Sequence, residues 1–93
     1  MPEEKFIDEE VQVDTAEFGL PRGFVWRGRR FEVVEILSSW RKLDFKRAWW
    51  RRRHRDHFRV RTGDGRVFEL YRHRGPGRRY WVLLRELPPD AGG

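Results

Sequence analysis

The stretch HFRVRTGDGRVFELY, residues 57 to 71, carries the pattern of a β-hairpin. Apolar and polar residues alternate on either side of a Gly-Asp-Gly turn, and a period of two is typical of strands with one buried face. If Asp64-Gly65 were a two-residue loop, Val60 would lie opposite Glu69, and each face would mix polar with apolar side chains. That register is therefore disfavoured.

A three-residue loop over residues 63–65 gives a better register, provided that Gly65 adopts the left-handed conformation. One face of the hairpin then becomes wholly apolar, and the opposite face pairs Arg59 with Glu69. The apolar face is predicted to hold Phe58, Val60, Phe68 and Leu70. We therefore expect these four side chains to form one buried cluster.

Alternation recurs along the rest of the chain and predicts further strands. The segments are EVQV (10–13), FVWRGRRFEVVEIL (24–37), which has a tight turn at Gly28, and RYWVLLREL (79–87). In the second segment the inward face switches between Val33 and Val34, which indicates a bulge or a sharp bend. Five or six antiparallel strands in sequence order, with no convincing amphipathic helix, predict an all-β fold: a small antiparallel meander curled into a barrel or half-barrel. Periodicity leaves residues 38–55 open among a hairpin tip, a strand extension and a short helix.

The length of 93 residues suffices for one domain with one modest core. We predict an acidic N-terminal arm over residues 1–8, a single β domain over 9–87 and a disordered tail over 88–93. The chain has no cysteine, so the core must stabilise the fold without disulfides or thiolate metal sites. No apolar run approaches the roughly 20 residues that span a membrane, and we expect a soluble, cytoplasmic protein.

Charge is distributed unevenly along the chain. Residues 1–17 hold seven acids and one lysine, a net of −6, whereas residues 18–87 hold 20 bases and seven acids, a net of +13. A body this basic attracts polyanions, and the acidic segment could compete with them. However, arginine supplies 18 of the 21 bases, which also suits a heat-adapted composition. Charge by itself leaves both interpretations open.

The stretch KRAWWRRRHRDHFRVR, residues 46–61, sets aromatic surface beside this charge. Adjacent strand residues face opposite ways, so one of Trp49 and Trp50 must be covered by arginine stems or contact a partner. Arg59 has a predicted partner in Glu69. No obvious acid partner is predicted for Arg51, Arg52, Arg53 and Arg61. The candidate nucleic-acid-binding residues are Trp49, Trp50, Arg51, Arg52, Arg53, Arg55, Arg59 and Arg61.

The same segments resemble a known family. FVWRGRRFEVVEIL, the WW pair followed by RRRHRDHFRVRT, DGRVFELYR and RYWVLLREL look like an uncharacterised bacterial domain family. Its members occur as small stand-alone proteins and as the C-terminal domain of inactive Y-family polymerase relatives in a mutagenesis cassette. The resemblance covers roughly residues 6–87 and implies an accessory module whose relatives work near translesion DNA synthesis. It implies no catalytic residue.

The remaining polar motifs do not form a recognisable catalytic or metal site. HRDH is interpreted as solvated surface, because His54 and His57 point to opposite faces of a strand and no cysteine accompanies them. The serines Ser38 and Ser39 lack the glycines of a nucleophile elbow, and GDG lacks the pattern of a phosphate loop. His73 is interpreted as a loop histidine. The sequence therefore predicts no enzymatic activity, no cofactor and no metal.

Two classes of function remain open. The first is a nucleic-acid-binding module, in which arginines neutralise phosphates and an exposed tryptophan stacks on a base of single-stranded or irregular nucleic acid. The second is a protein-interaction module that docks an acidic or polymerase-associated partner. Salt dependence separates them, because phosphate binding weakens steeply with salt.

Overall fold

The computed structural model describes residues 4–42, 54–74 and 79–90. Six strands occupy most of these residues: β1 (Lys5–Thr15), β2 (Pro21–Trp26), β3 (Arg29–Lys42), β4 (Arg55–Thr62), β5 (Val67–His73) and β6 (Tyr80–Leu87). Each strand pairs antiparallel with the next, and β6 pairs with β1, so the sheet closes into a barrel. The predicted all-β meander is thus confirmed, as a closed barrel. Within the described ranges, no helix has the length and hydrophobicity of a membrane span.

The β4–β5 hairpin has the three-residue loop predicted from its alternation. Arg59 pairs with Glu69 in the ladder, and Gly65 has a φ of 87°. The Gly65 amide donates a hydrogen bond of 2.9 Å to the Thr62 carbonyl, which closes the turn. The predicted apolar cluster is also confirmed, since its four members are all buried: Phe58, Val60, Phe68 and Leu70. The register follows from local sequence, because a shift of one residue would turn this face outward.

The β2–β3 hairpin turns at Arg27 and Gly28, where φ is 51° and 76°. Trp26 pairs with Arg29, so the loop has two residues. Two consecutive positive φ angles are the signature of a type I′ turn, whose twist matches that of the flanking strands. The predicted tight turn at Gly28 is therefore confirmed.

The expected bulge in β3 lies at Val34. Val33 pairs with Thr62 while Glu35 pairs with Arg61, which leaves Val34 as the extra residue. Its side chain is 63% exposed. A bulge bends its strand, and this bend lets β3 contribute to both sides of the barrel. β3 continues to Lys42, so residues 38–42 are a strand extension; residues 43–53 lie outside the described part of the chain.

The core fills the interior of the barrel with aromatic and aliphatic side chains. Phe24 stacks on Phe31 at 5.1 Å between ring centroids and meets Phe68 edge-on at 5.4 Å. The buried cluster is Val11, Phe24, Phe31, Phe58, Val60, Phe68, Leu70 and Leu83. Each fully buried side chain of this size contributes about 1.5 to 3 kcal/mol relative to exposure. One small core therefore holds the barrel together without disulfides.

The N-terminal strand begins earlier than the sequence suggested. Lys5 pairs with Glu86 and Phe6 with Arg85 on β6, so residues 5–8 belong to the sheet and the predicted arm over 1–8 is too long. The sequence does not reveal this part of the strand for two reasons. The segment is rich in acidic residues, and its partner strand, β6, lies near the other end of the chain. The register shifts between Phe6 and Glu9, where Asp8 has a φ of 53°. Residues 1–3, and residues 91–93 of the predicted tail, lie outside the described residues.

Candidate nucleic-acid interface

Five of the eight predicted contact residues lie outside the described part of the chain: Trp49, Trp50, Arg51, Arg52 and Arg53. They belong to the connection between β3 and β4, whose flanking residues Lys42 and Arg55 pair with each other. The other three predicted residues, Arg55, Arg59 and Arg61, alternate along β4 on the face opposite the core. The sequence-predicted site thus divides between this connection and the outer face of β4.

A cleft of about 680 Å³ crosses the outer face of five neighbouring strands. We call it the sheet cleft, and its defining residues are Phe6 on β1, Arg85 on β6, Glu69 and Tyr71 on β5, His57 on β4 and Trp40 on β3. These residues alternate with the core residues along their strands, which is why they share the outer face. Arg55 also lines the cleft, so one of the predicted contact residues lies in it.

Aromatic rings and guanidinium groups form a continuous row along the sheet cleft. Trp40 stacks on His57 with centroids 5.2 Å apart and planes within 9°, and His57 lies 5.3 Å from Tyr71. The guanidinium of Arg55 lies 4.7 Å from the Tyr71 ring centroid, and that of Arg59 lies 5.7 Å from Trp40. Such cation-π contacts contribute about 0.5 to 1 kcal/mol at exposed sites. Trp40 and Tyr71 could not be recognised as site residues from the sequence, because only their positions across the sheet bring them together.

The floor of the sheet cleft contains a buried carboxylate, Glu69. Its Oε1 lies 3.6 Å from Nη2 of Arg59, and its Oε2 lies 3.8 Å from Nε of Arg85. Burial raises the pKa of Glu69, but the His57 ring and the charges of Arg85 and Arg59 outweigh it and hold the pKa below its usual range. Glu69 therefore remains ionised at neutral pH, and its predicted pairing with Arg59 is confirmed.

His57 lies next to this carboxylate without a hydrogen bond to it. Its Nδ1 is 3.4 Å from Oε2 of Glu69, longer than a usual hydrogen bond, and neither ring nitrogen has a hydrogen-bond partner among the described residues. The residue is only 3% exposed. The interpretation of HRDH as solvated surface is therefore wrong for His57, whose ring is covered by Trp40 and Tyr71. His73, expected in a loop, is likewise buried within β5.

Arg61 has an acid partner that the sequence did not reveal. Its Nη1 donates to Oε1 of Glu35, the residue opposite it in the β3–β4 ladder. Without the bulge at Val34, Glu35 would face the position of Val60 on the other side of the sheet. The prediction of an unpaired Arg61 is therefore wrong, because the bulge shifts Glu35 by one position.

Asp56 is also buried, although its neighbours in sequence suggested a solvated surface. It is 6% exposed, and its carboxylate contacts three arginines that lie within strands or just after a strand end. Arg41 Nε lies 3.0 Å from Oδ1, while Arg72 Nη2 and Arg74 Nη1 lie 2.7 Å and 3.4 Å from Oδ2. Burial raises the pKa of Asp56, but the hydrogen bonds from Arg72 and Arg41 and the charge of Arg74 outweigh it and lower the pKa. We call these four residues the Asp56 cluster.

A second cleft of about 410 Å³ lies beside the Asp56 cluster. We call it the end cleft, and its defining residues are Phe18, Ser39, Trp40, Arg41, Asp56 and Arg72. Trp40 and His57 line both clefts. Among the described residues, no three histidine, aspartate or glutamate side chains are grouped to hold a metal ion.

The excess positive charge of the chain is concentrated in the part of the sequence that connects β3 with β4. The described ranges hold 15 bases and 13 acids, whereas residues 43–53 hold five bases and one acid. The connection that begins after Lys42 therefore supplies +4 of the net +6. Most arginines of the described strands form ion pairs, including Arg27 with Glu9 and Arg66 with Glu86.

The fold and its clefts define a small closed antiparallel β-barrel with an aromatic and arginine-rich outer face. A family model, Domain of unknown function (DUF6504), matches residues 1–88, and the chain belongs to this family. No curated protein and no solved structure matches the chain. The expected membership of an uncharacterised family is thus confirmed, and the family description assigns no function.

Proposed function

We propose that this protein is a small, non-enzymatic module that binds single-stranded or irregular nucleic acid. The observation that carries the proposal is the position of Trp40, which is 36% exposed and lines both clefts. Its ring is held flat against His57, so little conformational entropy is lost when a base stacks on it. Stacking of a base on an aromatic side chain contributes about 1 to 3 kcal/mol and tolerates every base.

The phosphate contacts come from two sources in this proposal. Arg55 lines the sheet cleft and has no acid partner among the described residues. Arg51, Arg52 and Arg53 belong to the adjoining connection, which carries +4 over residues 43–53. In this proposal a base of a single strand stacks on Trp40 while the phosphates of the same strand contact these cations. A duplex cannot, because its bases are stacked on one another and only their edges are accessible.

The ion pairs of the strands limit the expected affinity. Arg59 and Arg61 are already paired with Glu69 and Glu35, so they contribute less to phosphate binding than the sequence suggested. We therefore expect weak binding in which about four or five phosphates are neutralised. For a single strand this gives a slope of roughly −3 to −4 in a plot of log affinity against log salt.

A fluorescence titration tests the proposal. The full chain is titrated with an unphosphorylated single strand of about ten nucleotides and with a duplex of equal length, between about 50 and 200 mM salt. We expect tryptophan quenching and the stated slope with the single strand, and weaker binding of the duplex. Replacing Arg51, Arg52 and Arg53 with glutamine should flatten the slope by about 2 if each contacts one phosphate.

The matched control is a second triple variant that combines Arg27→Gln, Arg29→Gln and Arg30→Gln. These side chains lie at the β2–β3 hairpin, and their replacement removes the same total charge as the variant at residues 51–53. The control should change the slope much less than the variant at residues 51–53. Identical slopes for both triple variants would show that the net charge of the protein, and not phosphate contacts at residues 51–53, governs the salt dependence. No binding of the single strand by the parent protein would refute the proposed function.

The alternative function is docking of an acidic or polymerase-associated protein. The observation that favours it is the exposure of two phenylalanines, Phe6 at 66% and Phe18 at 93%. An interface anchored on aromatic side chains weakens little with salt, whereas phosphate binding weakens steeply. The same salt series therefore separates the two functions once a candidate partner is supplied.

The resemblance to the C-terminal domains of inactive Y-family polymerase relatives favours DNA as the first ligand to test. We propose that the protein acts in the cytoplasm as an accessory to DNA repair or translesion synthesis, where single-stranded DNA is exposed. Comparison of DNA and RNA strands of one sequence tests this choice. A preference for RNA would contradict it while leaving the stacking mechanism intact.

A further inference from the structure

The Asp56 cluster holds more positive than negative charge. Three guanidinium groups contact one carboxylate, so the cluster carries a net +2 at neutral pH. These contacts lower the pKa of Asp56, so its carboxylate is ionised at neutral pH and counts as −1 in the net charge of the cluster. An excess of positive charge that lines a cleft attracts an anion, because a cleft focuses the electrostatic field of its lining charges.

Several donors of the cluster remain available to a ligand. A guanidinium group has five N–H donors, and Arg41 uses only Nε to contact Asp56. The Arg41 side chain is 57% exposed. Nε of Arg72 is buried and has no hydrogen-bond partner within the described ranges, and Nη1 of Arg72 donates to the Gly19 carbonyl at 3.3 Å. The remaining N–H donors of Arg41 can therefore bind a ligand in the end cleft, and the positive charge of Arg72 adds to the attraction of an anion.

The other side of the end cleft is aromatic. Phe18 lines it, is 93% exposed and has a φ of 62°, a conformation that non-glycine residues rarely adopt. Backbone hydrogen bonds hold this conformation on both sides, from the Ala16 amide to the Leu20 carbonyl at 2.8 Å and from the Gly19 amide to the Ala16 carbonyl at 3.2 Å. Backbone strain of this kind clusters at ligand-binding and active sites, so the strained Phe18 beside a charged cleft points to a ligand contact.

We propose that the end cleft binds the terminal phosphomonoester of a nucleic-acid strand, with Arg41 and Arg72 on the phosphate and Phe18 beside the terminal nucleoside. A phosphomonoester carries about −1.5 to −2 at pH 7, which matches the net +2 of the cluster, whereas an internal diester carries only −1. The proposal rests on the proposed function, since Trp40 lines both clefts and a bound nucleic-acid strand can pass over it from one cleft to the other.

Three DNA strands of one sequence test the proposal: one with a 5′-phosphate, one with a 3′-phosphate and one with hydroxyl groups at both ends. Their affinities for the full chain are measured by direct titration of each strand, labelled on an internal base. We expect one phosphorylated end to bind about tenfold more tightly than the hydroxyl strand, as one added charge-assisted hydrogen bond would give. A free mononucleotide is included to separate a strand end from a soluble phosphomonoester.

Arg41→Gln should remove the preference for the phosphorylated end. Arg27→Gln is the matched control, because its side chain is 68% exposed and lies at the β2–β3 turn. Arg41→Lys, which keeps the charge and loses the fork, should retain part of the preference and guards against a folding defect in the glutamine variant. A preference unchanged in Arg41→Gln would overturn the assignment of the end cleft.

The remaining outcomes distinguish this proposal from the proposed function. Equal affinities for all three strands, with tryptophan quenching, would overturn the end-cleft site and leave single-strand binding in place. Binding of phosphorylated strands alone would support the end cleft and refute stacking on the sheet face. An affinity for the mononucleotide as high as that for the phosphorylated strand would show that a soluble phosphomonoester, and not a strand end, is the ligand.

Discussion

Trp40 lies parallel to His57, with their ring planes within 9° and their centroids 5.2 Å apart. The two residues face each other across the β3–β4 ladder, so the contact depends on the register of those strands. His57 is buried and fixes the tryptophan from below, while Trp40 remains 36% exposed. A rigid ring with accessible surface is suited to stacking, because binding costs it little rotamer freedom.

We predict that Trp40→Ala lowers the affinity for a single strand by about 1 to 3 kcal/mol. The salt slope should stay nearly unchanged, because stacking releases few counterions. Trp40→Phe, which keeps a stacking face, should lose much less affinity. The measurement is a fluorescence anisotropy titration with a labelled strand. An equal loss in both variants would mean that Trp40 contributes size and not stacking.

We predict that Gly65→Ala destabilises the protein by about 1 kcal/mol or more, and that Gly65→Val destabilises it further. Gly65 has a φ of 87°, and a Cβ there would meet nothing within 4 Å, so the cost is backbone strain alone. Gly63→Ala is the matched control, since its Cβ would lie 3.7 Å from Val34, an ordinary contact. Chemical denaturation measures all three. Equal stabilities of the two alanine variants would contradict the left-handed assignment.

The β4–β5 hairpin could be predicted from the sequence because its determinants are local. A glycine at the left-handed position and two alternating runs fix one register, and a slip would expose Val60 and Phe68. The closure of the barrel could not be predicted in the same way. It depends on the pairing of Lys5 with Glu86, which are separated by nearly the whole chain. Acidic residues in β1 made its first half look like an arm.

The candidate site was less accessible to sequence reasoning, because its partners come from different strands. The bulge at Val34 was expected, but its effect on the partner of Arg61 depends on how β3 and β4 align. Asp56 looked like surface because its arginine partners Arg41 and Arg72 lie about 15 positions away on either side. Tertiary pairing thus decided which arginines of the sheet are neutralised.

We predict that acid lowers the stability of the protein through Asp56 and Glu69. Both carboxyls have folded-state pKa values below their ordinary values of 3.8 and 4.5. A lowered folded-state pKa contributes stability above the ordinary pKa, and this contribution is lost as the pH falls through the folded-state pKa. Denaturant unfolding at pH 7, 5 and 3 should therefore show a loss that begins below about pH 5.

Asp56→Asn tests the origin of this loss. The variant should be less stable at pH 7, since three guanidinium groups lose their buried counter-charge, and its stability should fall less steeply in acid. Glu17→Gln serves as the control, because this exposed carboxylate lies outside both clefts. A parallel decline of the parent and Asp56→Asn would show that other carboxyls govern the acid response.

The last prediction concerns the N-terminal segment. Deleting residues 1–8 removes the first part of β1, including the pairs of Lys5 with Glu86 and Phe6 with Arg85, and should lower the free energy of unfolding by at least about 1 kcal/mol. Deleting residues 1–4 leaves β1 intact and removes one described contact, the exposed pair of Glu4 with Arg85, which contributes about 0 to 1 kcal/mol.

The shorter deletion therefore separates the charge of the segment from its structural role. It removes two acids and no base, so it should modestly strengthen binding of a single strand at low salt while the protein stays folded. Thermal melts and low-salt titrations of both deletions provide the measurements. An unchanged melt after deletion of residues 1–8 would show that this part of β1 does not stabilise the barrel closure. Equal affinities of the parent and the shorter deletion would show that the acidic segment does not compete with nucleic acid.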